Sequence, residues 1–396
     1  MQRLNISRTL LSVLRRGAFR PYRTETYRRS FRMSTGNRDT EGVAMAENGQ
    51  MVDGAERTTT GQFRLLFCGE KAFPSSFFLT KDYLKQSPHI LVETMPLDEI
   101  EDQIHEYDMC VVKNYKLTSH ILSRARKMKV ITQFGMGLEG VDIEAATQLG
   151  IKVARIPSLG TGNALSCAEH AVYLILSLLK NQKGLEQSVL AKRLGEPLTK
   201  TLFNTTVCIV GYGNIGKELA PRLKPFGVKV LALRRSWNKI PQEGEVDGTS
   251  TANGDADVAV DHKGGTEDLH DFISQADIVV MCCALTPETK GMVNEKFLAS
   301  MKTGAFLVNV ARGGLMDYDA VTEALNSGHL GGLGTDVTWV EPFDPHDPII
   351  QHPNVVITPH VAGVTELSYR TMSAVIGDSA LQLYEGKPVT GLEFVN

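Results

Sequence analysis

The stretch Val207–Gly227, VCIVGYGNIGKELAPRLKPFG, decides the fold. It opens on an apolar run, Val207–Val210, of the kind found in buried strands. Gly211, Gly213 and Gly216 follow in the spacing G-x-G-x-x-G. Ile215, Leu219 and Leu223 then recur every four positions, which marks one face of a helix. A glycine-rich turn that leaves a strand and opens a helix is a dinucleotide fingerprint; the same spacing elsewhere would be only a turn. Gly211 permits the tight turn. Gly213 lets backbone approach a pyrophosphate at the positive helix end, where Asn214 and Ile215 begin the first turn. Gly216 lets the helix pack closely on its strand.

The next strand, Val228–Leu233, bears on which dinucleotide is held. A site for NAD usually ends this strand on Asp or Glu, which accepts from the ribose 2′-hydroxyl. Here Arg234, Arg235 and Ser236 follow instead. Two guanidiniums suit a 2′-phosphate, which they can grip with paired, charge-assisted hydrogen bonds. The reading is therefore NADP(H), with NAD as the alternative; two solvated arginines at a strand end would be the bland explanation.

Working outward, short apolar runs alternate with helical patterns from Phe63 onward. Strand-like runs stand at FRLLFCG from Phe63, at Tyr107–Lys113, from Lys129 and from Ile151. Helices are predicted over Ser119–Lys127 and Ala145–Leu149. Such alternation implies parallel sheets covered by helices. The prediction is an α/β protein with two Rossmann-like, doubly wound parallel-sheet domains. Residues 62–165 with 364–396 form a flavodoxin-like substrate domain, and residues 166–363 form the dinucleotide-binding domain. Ser166–Lys180 (SCAEHAVYLILSLLK) is apolar on nearly all sides, which predicts a helix buried between domains or subunits. Glu366–Tyr384 reads as a final helix. Pro241–Asp268, rich in Gly, Asp and Thr, reads as a long surface loop.

Composition narrows the partners. The 396 residues carry a formal charge of −3, so no global positive field calls for nucleic acid. No apolar run approaches the ~20 residues of a membrane helix. The six cysteines show no metal-site spacing and read as buried free thiols; no metal is predicted. Cys282 and Cys283 are placed inside a strand-like run, where neighbours face opposite ways. The first 38 residues hold ten arginines, no lysine and one acid, Glu25. That composition is expected of a mitochondrial or chloroplast transit peptide, with residues 1–61 a disordered leader and linker. A basic tail without an address, in a cytoplasmic protein, is the alternative, and a start at Met33 or Met45 would remove the signal.

Three more segments end apolar runs: LVNVARGGLMD around Arg312, GTDVTWVEP with Glu341 and Pro342, and VVITPHVAG around His360. Ligands of open α/β sheets gather at the carboxyl ends of strands. A guanidinium can anchor a carboxylate and polarise a carbonyl. An imidazolium can donate a proton to a developing alkoxide, and a carboxylate beside it would stabilise and orient it. Taken singly, each residue could equally be structural, and spacing alone does not bring the three together.

The order of GYGNIG, ARGGLMD, TDVTWVEP and TPHVAG resembles the D-isomer-specific 2-hydroxyacid dehydrogenase family. Leu285–Gly314 looks like that family's second signature, and Phe134–Val153 like its substrate-loop region. The likeness runs from about Phe63 onward and is strongest to plant-type, phosphoglycerate dehydrogenase-like members. It implies hydride transfer between NAD(P)H and a small 2-oxo or 2-hydroxy acid, such as glyoxylate or hydroxypyruvate. It further implies Arg312, Glu341 and His360 as the catalytic trio and amides near Met136 and Gly137 as the carboxylate cradle. Asp336 would lie near the nicotinamide, with Ala284, Leu285 and Ala311 beside the cofactor. The resemblance also implies a homodimer, joined through the Ser166 helix and the arm Gly184–Lys200. Glu341 departs from the formate dehydrogenase branch, which has Gln there. FGMGLEGVD carries no basic residue, which favours an unphosphorylated acid. No regulatory domain follows Asn396, which argues against the serine-feedback form. The competing expectation, from another class, is a dinucleotide-sensing, corepressor-like binding protein with little turnover.

Overall fold

The computed structural model describes residues 61–69, 73, 75–113, 115–135, 137–138, 140–235, 237 and 259–396. The predicted leader over residues 1–60, Met136, Ser236 and residues 241–258 of the predicted loop lie outside the described residues.

Two sheets organise these residues. β1 (Phe63–Cys68), β2 (Ile90–Met95), β3 (Met109–Val112), β4 (Val130–Gln133) and β5 (Lys152–Arg155) belong to the first. β6 (Thr206–Val210), β7 (Lys229–Leu233), β8 (His262–Gly264), β9 (Ile278–Met281), β10 (Ala305–Asn309), β11 (Leu330–Thr335) and β12 (Val355–Ile357) belong to the second. A last strand, β13 (Glu393–Phe394), returns to the first sheet. Strand order is β13-β5-β4-β3-β1-β2 in one and β12-β11-β10-β9-β6-β7-β8 in the other. The first is the flavodoxin-like winding and the second the Rossmann winding, as predicted. In the second sheet the order reverses between β6 and β9, and the fingerprint leaves β6 at that switch point.

Each sheet is buried on both faces. β3 and β4 are buried throughout, and β6 in all but its first residue, because parallel sheets carry helices on both sides. Four named helices matter below: α1 (Ser76–Tyr83), α2 (Asn163–Leu179), α3 (Asn214–Leu223) and α4 (Glu366–Tyr384). α4 begins on a capping box, in which the Thr365 hydroxyl accepts from the Ser368 amide at 3.2 Å.

Several expectations change. α2 packs Ala168, Ala171, Leu174 and Ile175 into the core of the second sheet, so its burial lies chiefly within that layer. β2 and α1 went unread, since Ser76–Met95 mixes polar residues into its apolar positions. β8 arises inside the stretch predicted as a surface loop. It is an edge strand whose backbone pairs with β7 (Leu231↔His262) while His262 and Lys263 stay exposed, so its composition reads as polar. The helix predicted over Ser119–Lys127 is only Ser119–Leu122; beyond it the amides of Arg124 and Ala125 donate three residues back, in tighter turns. Cys282 and Cys283 follow β9 and do not lie within it. All six cysteines are free, with Cys68, Cys110, Cys167 and Cys208 buried and the Cys282–Cys283 pair partly exposed. β13 pairs antiparallel with β5, aided by the Arg155–Glu393 ion pair at 2.8 Å. No helix among the described residues is long and apolar enough to cross a membrane.

Candidate active site

The fingerprint turn is held by β7. The amides of Gly211 and Tyr212 both donate to the Leu233 carbonyl, at 3.1 and 2.9 Å. Gly211 has φ +104°, and a Cβ there would overlap the backbone of Cys283 at the end of β9. Gly216 packs as predicted: a Cβ there would lie 2.8 Å from the Gly211 carbonyl oxygen. Among the described residues, no atom beyond its own chain neighbours lies within 4 Å of a Cβ built at Gly213, so that side of the turn is open to a ligand. Gly213 also caps α3 without a side chain, which leaves its first-turn amides facing the opening. Asn214 turns elsewhere, donating through Nδ2 to the Ser158 hydroxyl at 2.9 Å. Ile215 packs against the core beneath.

At the end of β7, the Arg234 amide donates to the Gly264 carbonyl at 3.1 Å. Trp237 Nε1 reaches the same carbonyl at 2.9 Å, and its ring leans on Tyr212 with centroids 5.3 Å apart. Arg235 is exposed. The Glu288 carboxyl is held below the usual range by hydrogen bonds from Thr286 and its own backbone, with Arg235 adding its charge. On the far side of the turn, the Ala284 carbonyl accepts from Thr289, Leu285 lies against Gly314, and the Ala311 amide is fixed by Asn309 at 2.9 Å. An open glycine turn, bare helix amides and two cations beyond β7 fit a nicotinamide dinucleotide. Among the described residues no group of three His, Cys, Asp or Glu side chains is placed to hold a metal ion.

The acid–base residues follow three neighbouring strands. Arg312 comes after β10, Glu341 after β11 and His360 after β12. Glu341 and His360, distant in sequence, meet at 2.7 Å between Oε2 and Nδ1. That bond leaves Nε2 of His360 for a substrate. Burial pushes the Glu341 carboxyl up. The His360 hydrogen bond and charge, the Thr338 amide and the Arg312 guanidinium outweigh this and bring it below the usual range. Arg312 itself donates to the Ala311 carbonyl at 2.8 Å. Its loop is pressed onto the Glu341 loop: a Cβ at Gly313 would overlap the Thr338 carbonyl. Gly137 comes from the first sheet, in the loop after β4.

Asp336 proves to be a buried anchor, 1% exposed. Its carboxylate accepts from the amides of Val361 (2.9 Å) and Ala362 (2.8 Å) and from the Thr358 hydroxyl (2.6 Å). Its carbonyl accepts from the His360 amide at 2.9 Å. His360 is held at φ +55°, a left-handed conformation that non-glycine residues rarely adopt without such support. Cys167 of α2 lies close by; burial and the Asp336 charge push its thiol up to about 12, against a small opposing effect of Arg312. The sequence reading missed Gly313, Thr358 and His170. Only His170 left a signal, a titratable side chain beside Glu169 in a mostly apolar helix.

Fold and site together define a dinucleotide-binding α/β protein with a carboxylate–imidazole pair at its strand ends. The family described as "D-isomer specific 2-hydroxyacid dehydrogenase, NAD binding domain" matches residues 172–362. A hydroxypyruvate reductase of Thermotoga maritima is 31% identical over 299 residues, covering 72% of this chain and 88% of that protein. A D-3-phosphoglycerate dehydrogenase of Bacillus subtilis is 31% identical, covering 77% of this chain and 55% of that protein. The chain thus spans about half the length of the D-3-phosphoglycerate dehydrogenases that it matches. The crystal structure of an Aquifex aeolicus D-lactate dehydrogenase, complexed with NAD and lactic acid, is similar at a TM-score of 0.65. Its identity is 25%, with 81% of this chain and 96% of that chain covered. The chain belongs to the D-isomer specific 2-hydroxyacid dehydrogenase family.

Proposed function

We propose that this protein reduces a small, unphosphorylated 2-oxo acid to its D-2-hydroxy acid with NADPH. The observation that carries the reading is the 2.7 Å Glu341–His360 pair, with Nε2 of His360 left for substrate. The dinucleotide is held by the Gly211–Gly216 turn and the first amides of α3, with its 2′-phosphate on Arg234, Arg235 and Ser236. When bound, the reduced nicotinamide supplies a hydride to C2 of the acid. Arg312 and the backbone near Met136 and Gly137 grip the substrate carboxylate, and Arg312 polarises the carbonyl. His360 holds the proton that the alkoxide oxygen takes, and Glu341 keeps the imidazolium oriented. Residues 62–165 with 364–396 act as the substrate lobe and 166–363 as the cofactor lobe, closing to exclude water.

Two finer proposals accompany this. The protein forms a homodimer through the exposed apolar residues Val189, Leu190, Leu194 and Leu198. It is imported into a mitochondrion or chloroplast through residues 1–38, on the strength of their arginine-rich, acid-poor composition.

The test follows NADPH and NADH oxidation by absorbance with glyoxylate, hydroxypyruvate, pyruvate, phenylpyruvate and phosphohydroxypyruvate. Turnover with NADPH well above NADH on an unphosphorylated acid supports the reading, and turnover on phosphohydroxypyruvate alone removes the unphosphorylated substrate. Turnover with NADH alone removes the phosphate site and keeps the reductase. Tight dinucleotide binding without turnover on any acid points to a sensing protein. Arg312→Ala should lower kcat/KM by roughly a hundredfold or more while dinucleotide Kd stays near wild type. Equal loss of both would remove Arg312 from the substrate site.

A further inference from the structure

His170 sits on α2, on a different element from Arg312, Glu341 and His360. Its side chain is only 16% exposed, and its Nε2 lies 2.8 Å from the Thr358 hydroxyl. Hydrogen-bond bookkeeping sets the direction of this contact. A carboxylate only accepts, and a threonine hydroxyl carries one proton. That proton goes to Asp336 Oδ1 at 2.6 Å. The Thr358 oxygen must therefore accept from His170, which carries hydrogen on Nε2. Burial pushes the imidazole down, against the pull of Asp336, which favours the neutral ring with its hydrogen on that nitrogen.

Donors thus converge on Asp336 from two sides: His170 of α2 donates to Thr358 and Thr358 to the carboxylate, while the amides of Val361 and Ala362, which directly follow His360, donate to the same carboxylate. We infer that His170 is a positioning residue for His360, acting by locking the Thr358 hydroxyl and the Asp336 carboxylate that hold the left-handed His360 backbone. The inference rests on the reading of His360 as the proton donor. The aligned bonds from His170 through Thr358 fix how the buried Asp336 carboxylate is turned, so loss of either donor frees it to rotate away from the two amides. Because the chain begins on α2, packing of that helix on the second sheet is what sets the imidazole in place.

Two measurements test this. The first is amide hydrogen exchange of the protein without added ligands, in wild type, His170→Phe, His170→Gln and Thr358→Val. The second is kcat and KM with hydroxypyruvate and NADPH. His170→Phe and Thr358→Val should each speed exchange at Val361 and Ala362 about tenfold and lower kcat about tenfold, with KM for NADPH within about twofold. His170→Gln, whose amide nitrogen can take the Nε2 position, should stay near wild type. The double variant His170→Phe/Thr358→Val should be no worse than either single change, because both break one chain. Wild-type exchange and kcat in His170→Phe would overturn the inference. So would equal damage in His170→Gln, or exchange that rises across both sheets. Full turnover in His360→Ala would sink the reading of His360 and this inference with it. An inactive His360→Ala beside an unaffected His170→Phe would sink this inference alone.

Discussion

At the residue scale, the site rests on one carboxylate–imidazole contact. Glu341→Gln keeps the shape and removes the charge that stabilises the imidazolium. Reductive kcat/KM should fall by roughly a hundredfold or more. An unchanged kcat/KM would remove Glu341 from proton transfer. The same carboxylate bears on stability. Its native value lies below the ordinary one, so its stabilising effect is complete above the unfolded value and is lost as pH falls through the native value. The Tm difference between wild type and Glu341→Gln should therefore be largest near neutrality and close in acid. Arg312, Glu341 and His360 stood out as candidates because each follows an apolar run, where sheet ligands gather, and the family resemblance joined them into a trio. Asp336 was legible as a position and not as an anchor. Its partners Val361 and Ala362 offer only backbone amides, which no side-chain pattern announces.

At the element scale, the strand–turn–helix from Thr206 to Leu223 was read nearly residue for residue, because period and glycine spacing are local. The reason Gly211 must be glycine is not local: the end of β9 presses against it. Gly211→Ala should weaken dinucleotide binding more than tenfold and cost roughly 1–3 kcal/mol of stability through its left-handed backbone and the overlap with Cys283. Urea melts and dinucleotide fluorescence titration check this, and a variant matching wild type in both would contradict the packing argument. β8 escaped the sequence reading for the opposite reason. An edge strand of three residues draws its stability from backbone pairing with β7, so its side chains need not be apolar.

At the scale of the whole molecule, two doubly wound sheets followed from the alternation of strand and helix patterns. Assembly depends on surfaces that such patterns do not show. Leu194 and Leu198 are fully exposed, and burying them against a second copy is the proposed reason for their character. Light scattering with size exclusion should give about twice the 43.4 kDa chain mass, and Leu194→Lys with Leu198→Lys should give the monomer. A wild-type monomer would rule the dimer out. The amino-acid sequence by itself determined the α/β class and the fingerprint turn, since both depend on local periodicity and glycine spacing; the winding orders and the trio were expected from the family resemblance. Tertiary structure alone decided that Glu341 meets His360 and that Asp336 clasps the loop around it. It also decided that α2 sends His170 into the same network. Those contacts join residues from separate strands and a helix, and only the stacking of β10, β11 and β12 side by side brings their ends within hydrogen-bond reach.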